Sequence, residues 1–338
     1  MKRMQQLRTI RRSDCASRFV AVVMVTCGLV VGGRSSSAQV TVFSDTFGSS
    51  TLNGVSTPAG GSTTSYDIAS SKSAGSAVSD GDLSILLPST SSGLVEAQAL
   101  FTATPVMLSN PGDYILLTYT FTDSSNILIS GKASSQLWAG LFDSYGSAPL
   151  SSLQNSGLAT NITGGTMGWQ GFHIQLPGSG NTAKIYFRPA QTAAAGDQDL
   201  LGNNASSGST YANPRGIQLS GTASSSLVLT NGQQLTEEFK VMLNASGGTT
   251  VSNLLIDTSS SATLFSLAST TNGISLNTFD GLAFGWQYKG SSGDPGSAMD
   301  VSSLTVTTNV PEPSTFVLLL GGLGLVLGAF RARRGPSA

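Results

Sequence analysis

The carboxylates of this chain are the first place to look for chemistry. Hydrolysis of a glycosidic bond with retention needs two of them about 5–5.5 Å apart. Residues that share a strand face lie two positions apart, so Glu-x-Asp-x-Glu would deliver the pair, and the sequence has no such pattern. Glu237 and Glu238 are adjacent and would point to opposite faces, Glu96 stands alone in its run, and Asp197-Gln198-Asp199 lies among loop-forming residues. All of these are expected as solvated acids. His173, the single histidine, supplies neither a multi-histidine metal site nor an assignable Ser-His-Asp set, and reads as a structural strand residue. Gly-x-Ser-x-Gly and Ser-x-x-Lys are both absent, which removes the common serine-nucleophile signatures. The chain is expected to act without catalysis.

Hard cations want oxygen ligands. Asp294 and Asp300 bracket a Gly-rich loop, and Asp80 and Asp82 another, but neither spacing is a ligand motif. No metal or other cofactor is expected, with calcium as the one candidate these loops admit. For a sugar ring the useful group is a flat aromatic face. Trp138, Trp169 and Trp286 are the three tryptophans. Trp286 and Tyr288 share a strand face by spacing and are the candidate glycan-binding pair, set against core burial as the ordinary role of each Trp.

These residues sit in short β-rich runs punctuated by Gly, Ser, Asn and Pro: Val40–Phe43, Leu83–Leu87, Leu94–Phe101, Tyr114–Phe121, Gln136–Phe142, Gly171–Leu176, Lys184–Arg188, Leu227–Thr230, Glu237–Asn244, Val251–Ile256, Ala262–Leu267, Leu282–Tyr288 and Val301–Thr307. Several alternate cleanly, with Phe239, Val241 and Leu243 facing one way and Glu238 and Lys240 the other. No fixed-period repeat is present, which argues against a propeller or solenoid. The fold class is therefore all-β, an antiparallel β-sandwich over Gln39–Asn309. Its opening "VTVFSDTFG" and closing "FDGLAFGWQYKGSSGDPGSAMDVSSLTVTT" resemble, in pattern, the concanavalin A-like lectin/glucanase jelly roll. That resemblance implies that the first and last strands lie side by side in one sheet. Two smaller immunoglobulin-like units split near Gly196–Ser209 are the alternative.

Both ends carry addresses. Lys2, Arg3, Arg8, Arg11, Arg12 and Arg18 precede the apolar run Phe19–Val31, and Ser36-Ser37-Ala38 offers small residues before Gln39. That is the form of a secretory signal peptide (residues 1–38) cut between Ala38 and Gln39, with an uncleaved anchor as the alternative. Cys27 lies inside the apolar run and after Thr26, which sets a lipoprotein reading aside. At the other end, Pro311-Glu312-Pro313 precedes the uncharged run Phe316–Phe330 and then Arg331, Arg333 and Arg334. As a helix the run measures about 23 Å, enough to cross a bilayer with local thinning and with the arginines snorkelling to the headgroups. The arginines hold the cytoplasmic side. Pro311 and Pro313 fix φ near −65° and keep the approach extended. Gly324-x-x-x-Gly328 would let two such helices pack.

The tripeptide, short span and terminal Arg cluster (residues 310–338) resemble the PEP-CTERM sorting signal of Gram-negative bacteria. The resemblance implies that an exosortase processes the tail after transient anchoring in the inner membrane. It also implies delivery to the cell surface or matrix, in the setting of exopolysaccharide and biofilm.

Removing the two ends also removes both cysteines, Cys15 and Cys27, so the exported part has no disulfide and rests on its core. The exported part retains seven basic and sixteen acidic residues, a net charge of −9. Such a surface repels nucleic acid and anionic lipid. The expected protein is an exported sandwich with a non-catalytic structural or glycan-binding role. Its expected partners are the exosortase and export machinery, and exopolysaccharide. The alternative is an extracellular jelly-roll glycoside hydrolase or polysaccharide lyase.

Overall fold

Alternation in sequence becomes two-sided burial in the structure. In Gln234–Leu243, Leu235, Glu237, Phe239 and Val241 are buried, while Thr236, Glu238 and Lys240 lie on the other face. Tyr114–Asp123 alternates over its whole length. The computed structural model describes residues 38–47, 66–70, 75–79, 81–87, 93–123, 136–147, 165–177, 183–190, 200–201, 216–219, 230, 232–288 and 297–310. The signal-peptide run, the sorting tail from Pro311 onward, Asp80, Asp197, Asp199, Asp294 and Leu227–Val228-Leu229 lie outside the described residues.

In chain order the strands are β1 (Val40–Asp45), β2 (Asp67–Ser70), β3 (Gly75–Ser79), β4 (Asp82–Leu87), β5 (Gly93–Leu100), β6 (Val106–Met107), β7 (Tyr114–Asp123), β8 (Gln136–Asp143), β9 (Gln170–Pro177), β10 (Lys184–Arg188), β11 (Ile217–Gln218), β12 (Gln234–Leu243), β13 (Thr249–Asp257), β14 (Thr263–Thr271), β15 (Thr278–Phe279), β16 (Gly281–Tyr288) and β17 (Ser297–Thr308). One sheet runs β14-β13-β12-β7-β17-β4-β3, with β1 also on β17. The second runs β11-β10-β9-β8-β16-β5-β2, and β15 and β6 form a small ribbon. Both sheets draw strands from either side of residues 196–209, so a split into two smaller units there does not occur.

The expected closure of the fold is present. Val40 pairs with Thr308 and Phe43 with Val306, antiparallel. β17 makes room for this by sharing its length: Ser297–Val301 face β4, whereas Leu304–Thr308 face β1. On its other side it stays on β7, with a register shift between Val301 and Ser303.

The inward faces of the two sheets meet in one apolar core. Phe43, Leu117, Tyr119, Phe239 and Leu304 come from the first sheet, and Val95, Leu137, Ile174, Phe284 and Trp286 from the second. The Tyr119 and Phe284 rings stack across the layer at 5.4 Å. Each fully buried large apolar side chain contributes about 1.5–3 kcal/mol, and this core does the work a disulfide would do elsewhere.

Trp286 is wholly buried in this core. It faces the opposite sheet, so it offers no platform to a sugar, and its candidate pairing with Tyr288 as a glycan site is corrected. The expectation of solvated acids is corrected as well: Glu96 and Glu237 are both wholly buried. Each is compensated by hydrogen bonds that arrive from remote strands or segments, which no local pattern displays.

Candidate functional site

The pleat that turns Val95, Ala97, Leu137, Ala139, Ile174 and Phe187 inward turns a different set outward on the same strands. On the outer face of the seven-stranded sheet, β5 carries Glu96 and Gln98, β8 carries Gln136 and Trp138, β9 carries His173 and Gln175, and β10 carries Lys184, Tyr186 and Arg188. Register aligns these into rows. Glu96 lies opposite Gly285, which faces Trp138, and Trp138 faces Gln175. The next row runs Asp67, Gln98, Ala283, Gly140, His173, Tyr186 and Gln218.

The middle of the face is therefore a floor of small residues between two polar walls. The floor is obligatory. A Cβ on Gly285 would stand 2.1 Å from the Val95 carbonyl oxygen, and one on Gly140 would stand 2.8 Å from both His173 Cβ and the Phe142 ring. On one wall three rings stack in series, Trp138 on His173 at 5.6 Å and 12°, and His173 on Tyr186 at 5.2 Å and 29°. The Tyr186 hydroxyl donates to Gln175 Oε1 at 3.2 Å.

The opposite wall is held by its carboxylate. Glu96 Oε1 accepts from Leu200 N at 2.8 Å and from Gln98 Nε2 at 2.5 Å, and Oε2 accepts from Leu201 N at 3.0 Å. Leu200 and Leu201 thereby come to rest in a second apolar cluster with Trp138, Phe142, Trp169 and Ala283, on the outer side of the sheet. Arg188 completes the cover by donating through Nη1 to the carbonyl oxygens of Thr166 and Trp169. The face is thus buried at its centre. It opens at the β10–β11 edge, where Lys184 is half-buried and Gln218 is exposed.

On this face Trp138 Nε1 and Gln136 Oε1 have no hydrogen-bond partner among the described residues. Burial lifts the Asp67 carboxyl at the far edge to about 6. Lys184 and Gln218 are polar side chains that this face presents at its open edge.

A second buried acid lies between the sheets. Tyr119 OH donates to Glu237 Oε2 at 2.5 Å. Burial raises the Glu237 carboxyl to about 7, against the lowering effect of hydrogen bonds from Tyr119 and Asn253. Enclosed in the core, it reaches no outer surface and has a structural place.

The remaining sequence candidates are dispersed. Asp300 accepts from Ser84 Oγ at 2.6 Å on the first sheet, and no group of three or more His, Cys, Asp or Glu gathers among the described residues. Ala38 and Gln39 are both exposed at the start of β1. No described helix is long and apolar enough to cross a membrane. Sequence reasoning missed the outer face itself. Its signal is the repeated polar pair two residues apart, Glu96/Gln98, His173/Gln175 and Tyr186/Arg188, on strands whose other face is apolar.

No curated protein matches the chain in sequence. Among solved structures it is similar to a peanut lectin bound to a nine-residue peptide, at 12% identity and a TM-score of 0.40, covering 80% of this chain and 97% of that one. It is similar to the basic winged bean lectin with Tn-antigen, at 10% identity and a TM-score of 0.42, covering 81% and 100%. A PL-14 alginate lyase from Aplysia kurodai is similar at 12% identity and a TM-score of 0.38, covering 69% and 86%. Residues 309–334, which contain Pro311-Glu312-Pro313 and the Arg331–Arg334 cluster, match the PEP-CTERM protein-sorting motif, so the chain carries the address of an exported, surface-sorted protein.

Proposed function

We propose that this protein is a non-catalytic, glycan-binding or structural component of the cell surface or extracellular matrix of a Gram-negative bacterium. An exosortase delivers it after transient anchoring in the inner membrane, and exopolysaccharide is its ligand. The observation that carries the non-catalytic part is the state of Glu96. Both of its oxygens accept main-chain N–H groups of Leu200 and Leu201, so the central carboxylate of the outer face holds the chain's own cover rather than facing a substrate. The observation that supports sugar binding is the open edge of that face, where Gln218 is exposed and Lys184 half-buried beside the buried Tyr186.

The hydrolase or lyase alternative has one observation in its favour: the stack brings His173 beside Tyr186, and both are residue types that move protons. One experiment separates the two readings. The purified protein is incubated with exopolysaccharide, and both retention and chain cleavage are followed. The proposal expects retention without new chain ends. It also expects Gln218→Ala combined with Lys184→Ala to abolish retention while leaving stability within about 0.5 kcal/mol, as surface changes do. New chain ends, lost in Tyr186→Phe, would establish the enzyme reading instead.

A further inference from the structure

The last strand does not fade into a linker. Thr308 Oγ1 donates to Tyr114 O at 2.6 Å and accepts from Val310 N at 3.1 Å. Asn309 Oδ1 accepts from Tyr114 N at 2.7 Å, and Asn309 Nδ2 donates to Gly112 O at 3.0 Å. Val310 itself packs against the core. The fold is therefore fastened up to the residue before Pro311, where the sorting tripeptide begins.

The fastening continues across that end of the sandwich. Gly112 N donates to Leu243 O at 2.8 Å, Leu243 N to Asp113 O at 2.9 Å, and Asn244 N to Gly248 O at 2.9 Å. Ser246 Oγ then bonds Asn272 Oδ1 at 2.9 Å. Asn309, the Gly112 turn and the Asn244–Gly248 turn thus form one hydrogen-bonded rim around the root of the tail.

Length decides what this rim meets. Five residues, Pro311–Thr315, separate Val310 from the apolar run, and fully extended they span at most about 18 Å. The headgroup layer takes about 5–8 Å of that. The remaining gap of about 10–13 Å admits one helix, about 10–12 Å across, and no folded domain. Whatever processes the tail while it is inserted therefore works in contact with the rim. The described turns at this end, residues 109–113, 244–248 and 272–273, hold no Lys or Arg, and the exported part carries a net −9. Both features disfavour anionic lipid as the partner and favour a protein surface that can hydrogen-bond Asn, Ser and main-chain groups.

We propose that the rim formed by Asn309, the Gly112 turn and the Asn244–Gly248 turn is a docking surface for the membrane enzyme that processes the tail, with Asn309 as a positioning residue that fixes where the tripeptide starts. This rests on the sorting reading given above. The test follows tail processing of the full chain in producing cells by pulse-chase immunoblotting. A ten-residue Gly/Ser spacer between Val310 and Pro311 leaves both rim and tail intact but uncouples them, and it is expected to slow processing at least fivefold. Ala245→Arg, an exposed change on the rim, is expected to slow it several-fold with an unchanged melting temperature. Processing of the spacer variant at the wild-type rate or faster would overturn the docking proposal and leave sorting intact. A wild-type tail that is never processed would instead overturn the sorting reading beneath it. Sedimentation of the purified protein with phosphatidylglycerol-containing vesicles, abolished by Ala245→Glu, would also overturn the proposal by assigning the rim to lipid.

Discussion

The Gln39 side-chain amide donates to the Thr307 hydroxyl at 2.6 Å, a contact between residues 268 positions apart. Gln39 is the residue that follows the expected signal-peptide cut, and Thr307 stands four residues before the sorting tripeptide. The two addressed ends of the chain therefore leave the sandwich from neighbouring strands. Removing Pro311–Ala338 takes nothing from the described strands, so the truncated protein is expected to melt within a few degrees of the full chain while failing to reach the cell surface. A collapse of the melting transition on truncation would mean that the tail is part of the fold.

Trp286 provides the sharpest test of the core. Truncation to Ala empties the largest kind of side-chain volume between the sheets and is expected to cost about 3–5 kcal/mol by chemical denaturation. An unchanged denaturation midpoint with loss of polysaccharide retention would return Trp286 to the surface.

Gly285 tests the floor of the outer face. An added Cβ meets main chain, the Val95 carbonyl oxygen at 2.1 Å, which no rotamer change relieves. Gly285→Ala is expected to destabilise by about 1–3 kcal/mol, the usual cost of overpacking. A neutral result would show that β5 and β16 do not pack this closely.

Stability should depend on pH through Glu237. Burial raises its carboxyl from 4.5 to about 7. Below pH 4.5 folded and unfolded chains both hold the proton. Between 4.5 and 7 the unfolded chain releases it first, so stability falls as pH rises, by up to about 3 kcal/mol. Asp67, raised to about 6 by burial, and Asp280, also raised chiefly by burial, act in the same sense. Asp257 is lowered, chiefly by the Ser259 hydroxyl, so its contribution is lost only at more acidic pH. Unfolding free energies at pH 5 and pH 8 are expected to differ in favour of pH 5, and Glu237→Gln should flatten that slope. A variant that keeps the full slope would exclude Glu237 as its source.

The contrast between Glu238 and Glu237 shows how far sequence alone reaches. Alternation placed them correctly on opposite faces, because the strand period is local information. The same period puts Glu237 on the side of Phe239 and Val241, but it could not show that a carboxylate is tolerated there, because its partner is a tyrosine 118 positions away. The same holds for Glu96, whose partners Leu200 and Leu201 lie more than a hundred residues downstream. Strands β1, β12 and β17 were legible from apolar patterning, and the pairing of β1 with β17 from the resemblance of the opening and closing segments to a jelly roll. The short β2 and β3, four and five residues long, were not, since what places them is pairing with β5 and β4 and no run of their own is long enough to display a period. The outer-face site was hidden for a related reason: three unremarkable polar pairs become one surface only once register aligns them.

Export at one end and release at the other should both be written in the protein's termini. Mass spectrometry of both termini of the protein recovered from the cell-surface fraction tests this most directly. An N-terminus at Gln39 and no peptide containing Arg331–Arg334 are expected. Surface protein that begins at Met1, or that still carries those arginines, would contradict that expectation.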